Sequence, residues 1–277
     1  MFGRIYGRFF LEPHCGITGD DEKDTCTISE LVETFPVWKE WISTLQYKNI
    51  NLFTMFETTD VHPMIIDAMK LFTKVIVPYD YLKEILESHG VNCVSLNWYT
   101  SDLIRANYPI IPKTIDPDRK IFLYVGTNDK RKNVTTLTKV FSEASKGTKH
   151  QLIVKTNHAD GLTESPNIKV VTDKISLDVL ASFYNLCDYV ISFTRGEGVG
   201  LPMLEANYFG KPVICQDRGV FRDVKKQVMT DWIPLPTHEI PIDLEGVPTY
   251  LHQVFYGTWF DVEEDKALEI IKNVMVN

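Results

Sequence analysis

The sequence is short of positive charge. Its 277 residues hold 29 Lys and Arg against 37 Asp and Glu, a formal net charge of −8. Proteins that grip a nucleic-acid backbone usually carry a basic balance or stripe that neutralises phosphates. Neither shows overall, so a DNA or RNA partner is not favoured, although Lys130-Arg131-Lys132 is a local basic run. Cysteine is also scarce. Cys15, Cys26, Cys93, Cys187 and Cys215 make an odd set with no CxxC or Cys/His cluster, which offers neither a disulfide framework nor a zinc site. Cys187 and Cys215 lie inside apolar patterns and read as small buried hydrophobes. This usage fits a reduced, cytoplasmic setting. The opening MFGRIYGRFFLEP lacks the apolar core of a signal peptide, and no apolar run is long enough to span a bilayer. Internal repeats and low-complexity stretches are missing. So is a DxD motif: Asp20-Asp21 and Glu263-Glu264-Asp265 are plain acidic runs, and no metal or cofactor is expected.

What is present is a chain that is 44% apolar, enough for a sizeable core. The stretch YPIIPKTIDPDRK around residues 108–118 collects prolines and charges and reads as a linker. It divides the chain into expected domains 1–112 and 113–277. In the second half, apolar runs at 121–126, 151–155, 168–172, 189–194 and 212–216 alternate with helical periodicities at 134–145, 176–187 and 201–209. Ser176 is a candidate N-cap, Gly210 a helix stop, and residues 261–275 a closing helix. Such alternation predicts a parallel, doubly wound α/β sheet. The first half reads more weakly in the same way. Helices are expected at 28–45, 64–72 and 80–88, and strands at 50–56, 74–78 and 93–97. The opening 27 residues give no signal.

The most informative segment is the strand–turn–helix at 189–209. Phosphates bind where a parallel strand ends and a helix begins, because free N–H groups and the helix dipole point there. The turn Arg195-Gly196-Glu197-Gly198-Val199-Gly200 has three glycines in six residues, which lets backbone approach a ligand. Pro202 suits a first helical turn. Glu197 and Glu205 flank this run. Carboxylates repel phosphate, but they accept hydrogen bonds from sugar hydroxyls, and a sugar nucleotide offers hydroxyls on both sides of its diphosphate. In the loop after the strand at 121–126, Gly126 precedes Lys132, a point charge suited to phosphate. A bare Lys-Arg-Lys run is otherwise an ordinary solvated turn.

The run CDYVISFTRGEGVGLPMLEANYFGKPVI resembles the core motif of glycosyltransferase family 4, in which a glutamate in a glycine turn is followed by seven residues and a second glutamate, and then by Gly-Lys-Pro-Val. Glu197, Gly198, Gly200, Leu201, Pro202, Glu205, Gly210, Lys211, Pro212 and Val213 fill those places. The resemblance implies a GT-B-like α/β fold of two Rossmann-like lobes with parallel sheets facing a cleft. It implies that Glu197 contacts the donor sugar and Glu205 the ribose, with Val199 in the same turn. The segment around Gly126 also resembles the family, and Lys132 takes the place of the lysine that meets the donor diphosphate, with Arg131 beside it. Thr127 departs from the family, where arginine is frequent directly after the glycine. Asp173 and Lys174 lie where the family holds the nucleobase. In the first half, Glu57 and His62 stand at a strand end on the expected acceptor side; capping or exposure are equally good readings of each. This half is shorter than in family members.

These resemblances imply a retaining, metal-independent glycosyltransferase that moves a hexose from a nucleoside diphosphate sugar to an acceptor hydroxyl on a glycan or other small acceptor. UDP-glucose and GDP-mannose both remain open as donors. Charge on the leaving diphosphate would be met by Lys132, Arg131 and turn N–H groups, and Glu197 would orient the sugar. Two other readings stand beside this one: a glucosyltransferase acting on modified DNA bases, and a catalytically degenerate sugar-nucleotide-binding module. Two-carboxylate glycosidase chemistry leaves the glycine turn without a task.

Overall fold

The computed structural model describes residues 25–29, 32, 35–45, 47–97, 100–110, 118–245, 249 and 252–276. Contacts group the chain into two units: Met1–Tyr99 with Glu197–Val199 and Pro241–Thr258, and Thr100–Gly196 with Gly200–Ile240 and Trp259–Asn277. The boundary expected at residues 112–113 lies outside the described residues.

The first unit runs β1 (Thr25–Ser29), α1 (Phe35–Thr44), β2 (Asn49–Phe53), α2 (Pro63–Met69), β3 (Lys74–Val77), α3 (Asp80–Ser88) and β4 (Cys93–Ser95). Its strands pair in the order β1-β2-β3-β4, all parallel. Parallel strands covered on both faces bury continuous apolar side chains. Leu52, Val75 and Val77 are fully buried, as are Leu82 and Leu86 of α3, one helical turn apart. The helix expected over 28–45 is corrected here: residues 25–29 are strand and the helix begins only at Phe35. The sequence TCTIS has Ile28 as its one large apolar residue, and this strand pairs in parallel with Asn49–Phe53.

The second unit opens with the short α4 (Asp102–Arg105). It continues through β5 (Ile121–Val125), α5 (Val134–Ala144), β6 (Gln151–Lys155), β7 (Ile168–Val171), α6 (Leu177–Leu186), β8 (Tyr189–Ile191), α7 (Leu201–Tyr208), β9 (Val213–Cys215), α8 (Phe221–Gln227) and β10 (Trp232–Pro234). The segments β11 (Thr237–Pro241) and β12 (Thr258–Val262) form a two-stranded sheet, and α9 (Glu264–Val276) follows. The main sheet has the order β10-β9-β8-β5-β6-β7 and is parallel throughout. The chain thus builds outward from β5 through β6 to β7, returns to β8 on the other side of β5, and builds outward again. This is the doubly wound arrangement in which ligands dock beyond the carboxyl ends of the two central strands, where the order reverses.

Helical periodicity supplies the packing. Val134, Leu137, Phe141 and Ala144 of α5 share one core with Ala267, Ile271 and Met275 of α9 and with Phe122, Leu152 and Ile191 of the sheet. Phe122 meets Phe141 edge to face at 5.2 Å, and each such ring burial is worth roughly 2–3 kcal/mol. Cys187 and Cys215 are fully buried as expected, and burial pushes the Cys93 thiol up to about 12. Three local expectations change. The strand from Tyr189 ends at Ile191 rather than residue 194, and residues 261–262 close β12 instead of opening the last helix. Ser176 does occupy the N-cap of α6, but its side chain makes no cap bond and pairs with Asp178 instead. Among the described residues no helix is long and apolar enough to cross a membrane.

Candidate functional site

The carboxyl ends of β5 and β8 carry the two loops that the sequence singles out. After β5, Gly126 donates its N–H to Lys155 O at 3.0 Å. A Cβ on Gly126 would lie 2.5 Å from the Tyr124 hydroxyl, so only glycine fits while that buried ring stays in place. The Tyr124 hydroxyl in turn donates to Thr127 O at 3.0 Å. Thr127 is exposed, and its hydroxyl donates to Asp129 Oδ2 at 2.6 Å. Asp129 Oδ1 accepts from Lys132 N at 2.9 Å, which folds the loop back towards α5. Buried Asn128 is fixed by Asn157 and by the Asp160 carbonyl. Asn133 sits at the helix N-cap in the left-handed region, φ 53°.

The glycine turn after β8 is tied to this loop. Arg195 N donates to Arg131 O at 2.7 Å. Arg131 Nη1 donates to Gly196 O at 2.6 Å, and Thr194 Oγ1 donates to the same carbonyl at 3.0 Å. Gln216, fully buried at the end of β9, donates from Nε2 to Thr194 O at 2.6 Å. Gly200 starts α7 at φ +73°, and Leu201 and Pro202 form the first helical turn. A Cβ at Gly200 would press on the Phe221 ring at 3.1 Å as well as straining the backbone. The first N–H groups of a helix lack intrahelical acceptors and are available to an anion.

Glu205 lies inside α7, only 7% exposed. Its Oε2 accepts from the Tyr184 hydroxyl at 2.7 Å, and the Ser101 side chain also bonds to it. Burial raises its pKa above the usual carboxylate range, and those two hydrogen bonds oppose the rise. Tyr184 is fully buried, stacks on Phe209 at 5.3 Å, and has its own pKa driven up by burial and by the neighbouring carboxylate. Ser101 also caps α4, accepting from Ile104 N at 3.2 Å.

Asp173 and Lys174 are exposed in the loop beyond β7. Burial lowers the Lys155 pKa at the end of β6, and Asp173 acts against that shift. Within the first unit, Glu197 is half-buried, Gly198 and Val199 are buried, and the Val199 carbonyl accepts from the fully buried Tyr79 at 2.9 Å. A Cβ on Gly198 would lie 2.8 Å from the Met55 side chain. Glu57 is half-buried. His62 is the N-cap of α2, its Nδ1 accepting from Met64 N at 3.2 Å, and its ring meets Tyr256 edge on at 5.2 Å. His62 therefore has the capping role that the sequence left open.

The structure brings together Arg131, Gly196 and the loop bearing Lys132. It adds residues that sequence reasoning missed. Arg195 pairs with Asp261, which lies far along the chain on β12, and Tyr184 and Ser101 surround Glu205. Arg195 stands inside the glycine turn and could have been flagged, but nothing local marks Asp261 or Ser101 as partners. Among the described residues no group of three or more His, Cys, Asp or Glu could hold a metal ion.

Residues 110–233 match the family of glycosyl transferases group 1. No curated protein sequence matches the chain. Among solved structures it is similar to sucrose-phosphate synthase from Thermosynechococcus elongatus, with a TM-score of 0.56 and 14% identity over 91% of this chain and 69% of that one. It is similar to TarM, with a TM-score of 0.55 and 14% identity over 91% of this chain and 48% of that one, so it spans about half of TarM. A third likeness is to a trehalose-6-phosphate synthase structure that addresses enzymatic glycosyl transfer with retention, with a TM-score of 0.56 and 8% identity over 91% of this chain and 70% of that one. The chain has a GT-B-like α/β fold with the glycosyl transferases group 1 match over residues 110–233.

Proposed function

We propose that this protein transfers a hexose from a nucleoside diphosphate sugar to an acceptor hydroxyl, with retention of configuration and without a metal. One observation carries the reading: at the reversal of strand order, the loop holding Lys132 and the glycine turn that starts α7 are bound to each other through Arg131, Arg195 and Gly196. Two loops fixed in this way present a lysine and helix-start N–H groups where phosphate binds. In the transition state the leaving diphosphate gains charge, and donors that are already in place stabilise it without reorganising. Lys132 and the N–H groups around Gly198–Leu201 take this role. Gly126 and Thr127 line the donor loop, and Asp173 and Lys174 are assigned to the base. Glu197 accepts from hydroxyls of the transferred sugar, and Glu205 accepts from the ribose through whatever hydrogen-bonding capacity Tyr184 and Ser101 leave to it. Glu57 and His62 are assigned to the acceptor side. The likeness to the trehalose-6-phosphate synthase structure, which concerns glycosyl transfer with retention, supports the stereochemical part.

A second reading has its own support. Thr127 replaces the arginine frequent in the family, and the Nη1 of neighbouring Arg131 is committed to a backbone carbonyl. A chain that binds sugar nucleotides without turnover fits that economy of cations. The test begins with a thermal-shift screen of UDP-, GDP-, ADP- and TDP-sugars, since a ligand that binds only the folded state raises apparent stability. Release of free nucleoside diphosphate with sugar acceptors follows, and NMR assigns the anomeric configuration of the product. Binding with neither hydrolysis nor transfer would select the second reading. Absence of binding by every donor would end both.

A further inference from the structure

Asp261 gathers donors from both loops of the second unit. Its Oδ1 accepts from Arg195 Nε at 2.8 Å and from Asn133 Nδ2 at 2.9 Å, and its Oδ2 accepts from Arg195 Nη2 at 3.2 Å. The third guanidinium nitrogen of Arg195, Nη1, donates to Lys130 O at 2.8 Å. The Arg195 backbone accepts from Phe260 N at 3.1 Å and donates to Arg131 O at 2.7 Å. The two side chains are 18% and 22% exposed, so solvent screens this pair less than a surface pair. A planar guanidinium forked onto one carboxylate fixes direction as well as distance, which a lysine cannot do. Asn133, held by the same carboxylate, is the residue after Lys132.

We propose that Arg195, locked by Asp261, is a positioning residue for the diphosphate site. It acts through the Lys130–Asn133 loop and the Arg195–Gly196 peptide, and holds Lys132 and the glycine turn in the arrangement that receives two phosphates. This inference rests on the donor reading above. It assigns to Arg195 the task of holding the two loops rather than of binding phosphate, because each of its three guanidinium nitrogens donates to a protein acceptor in those loops or on β12.

The test uses Arg195→Lys, which keeps the charge and loses the fork, and Asp261→Asn, which keeps the shape and loses the charge. Wild type and both variants are titrated calorimetrically with UDP, GDP, ADP and TDP, and then with the nucleoside of whichever diphosphate binds. The expected result is a loss of about tenfold or more in diphosphate affinity for each variant, with nucleoside affinity within twofold of wild type. The double variant should be no weaker than the worse single variant, because residues acting as one unit are not additive. Diphosphate affinity within twofold of wild type in either folded variant overturns the proposal. So does an equal loss for diphosphate and nucleoside, which marks a merely structural role. If one variant fails to show cooperative unfolding, the other decides by the same criterion. Wild type that binds none of the four diphosphates refutes the donor reading itself, and the inference falls with it.

Discussion

The two parallel sheets differ in one topological respect. In the first unit the described strands follow one another across the sheet in chain order, β1-β2-β3-β4. In the second the order turns back at β5 and β8. Two loops that leave adjacent strands in opposite lateral directions open a gap between them, and one that continues in the same direction does not. Around the reversal, buried or half-buried groups such as Thr194, Gln216, Arg131, Arg195 and Asp261 bond across long sequence separations. In the loop after β2 of the first unit, Thr58 bonds to the Asp60 carbonyl and Asp60 to Val61 N, while Asp60 also meets His89 at 2.7 Å and Thr59 meets Thr258 at 2.8 Å. Long-range bonds occur in both units, so it is the reversal of strand order that gives the second sheet the geometry in which a ligand docks.

Paired glycine substitutions would break this comparison most sharply. Gly200→Ala forces an alanine to φ +73° against the Phe221 ring. It is expected to cost about 2 kcal/mol of stability, from left-handed strain plus crowding, and to abolish measurable donor binding by calorimetry. Gly90→Ala has a similar φ of +74° but nothing within 4 Å of the added Cβ. It should cost roughly 1 kcal/mol by denaturant unfolding and leave donor affinity alone. Equal effects on donor binding would erase the distinction between the sheets.

Lys132→Ala should weaken nucleoside diphosphate binding by roughly 2 kcal/mol, the size of a hydrogen bond to a charged group. Lys70→Ala in the first unit should not change it, and the same titration reads both.

Glu205 sharpens the comparison through pH. Its folded pKa is raised by burial, so the native state binds the proton more tightly than the unfolded chain does. Stability is therefore lost as pH rises from the ordinary carboxylate range through the raised value, and it is retained below that range. Glu205→Gln removes this titration. Its Tm relative to wild type should climb as pH rises above the ordinary carboxylate range, as scanning calorimetry in the absence of ligand would show. A flat difference would mean that Tyr184 and Ser101 cancel the burial cost.

The smallest effect belongs to His62→Ala, which deletes the N-cap of α2. About 1 kcal/mol of stability should go, with donor affinity unchanged in the thermal-shift screen. A loss of donor affinity would bring the first unit's loop into donor binding.

Legibility in the sequence tracks the range of the interactions. The strands from Ile121 and Gln151, and the helix carrying Leu137 and Phe141, could be read because continuous burial and helical periodicity are local properties. The glycine turn could be read because its φ requirement is written in residue type. The strand at 25–29 was hidden because its stability lies in pairing with Asn49–Phe53. The end of Thr258–Val262 is hard to read because the apolar run and the following acidic residues lead directly into α9. Glu205 was legible as a site residue but not as a buried one: a helix glutamate ordinarily faces water, and only the fold shows Tyr184 and Ser101 closing over it. The Arg195–Asp261 pair spans 66 positions, and no periodicity reports a contact at that distance.

The tyrosine behind the donor loop carries an evolutionary consequence. With Tyr124 present, any side chain at 126 would collide with its hydroxyl at 2.5 Å. Phenylalanine at 124 would leave the ring carbon at 3.0 Å as the nearest obstacle, close enough to be relieved by a few tenths of an ångström. The two positions are therefore expected to drift together across homologues. Glycine at 126 should be obligatory wherever 124 is tyrosine and relaxed towards alanine wherever 124 has lost its hydroxyl, so that the loop's sequence freedom is set by a residue buried in the sheet behind it.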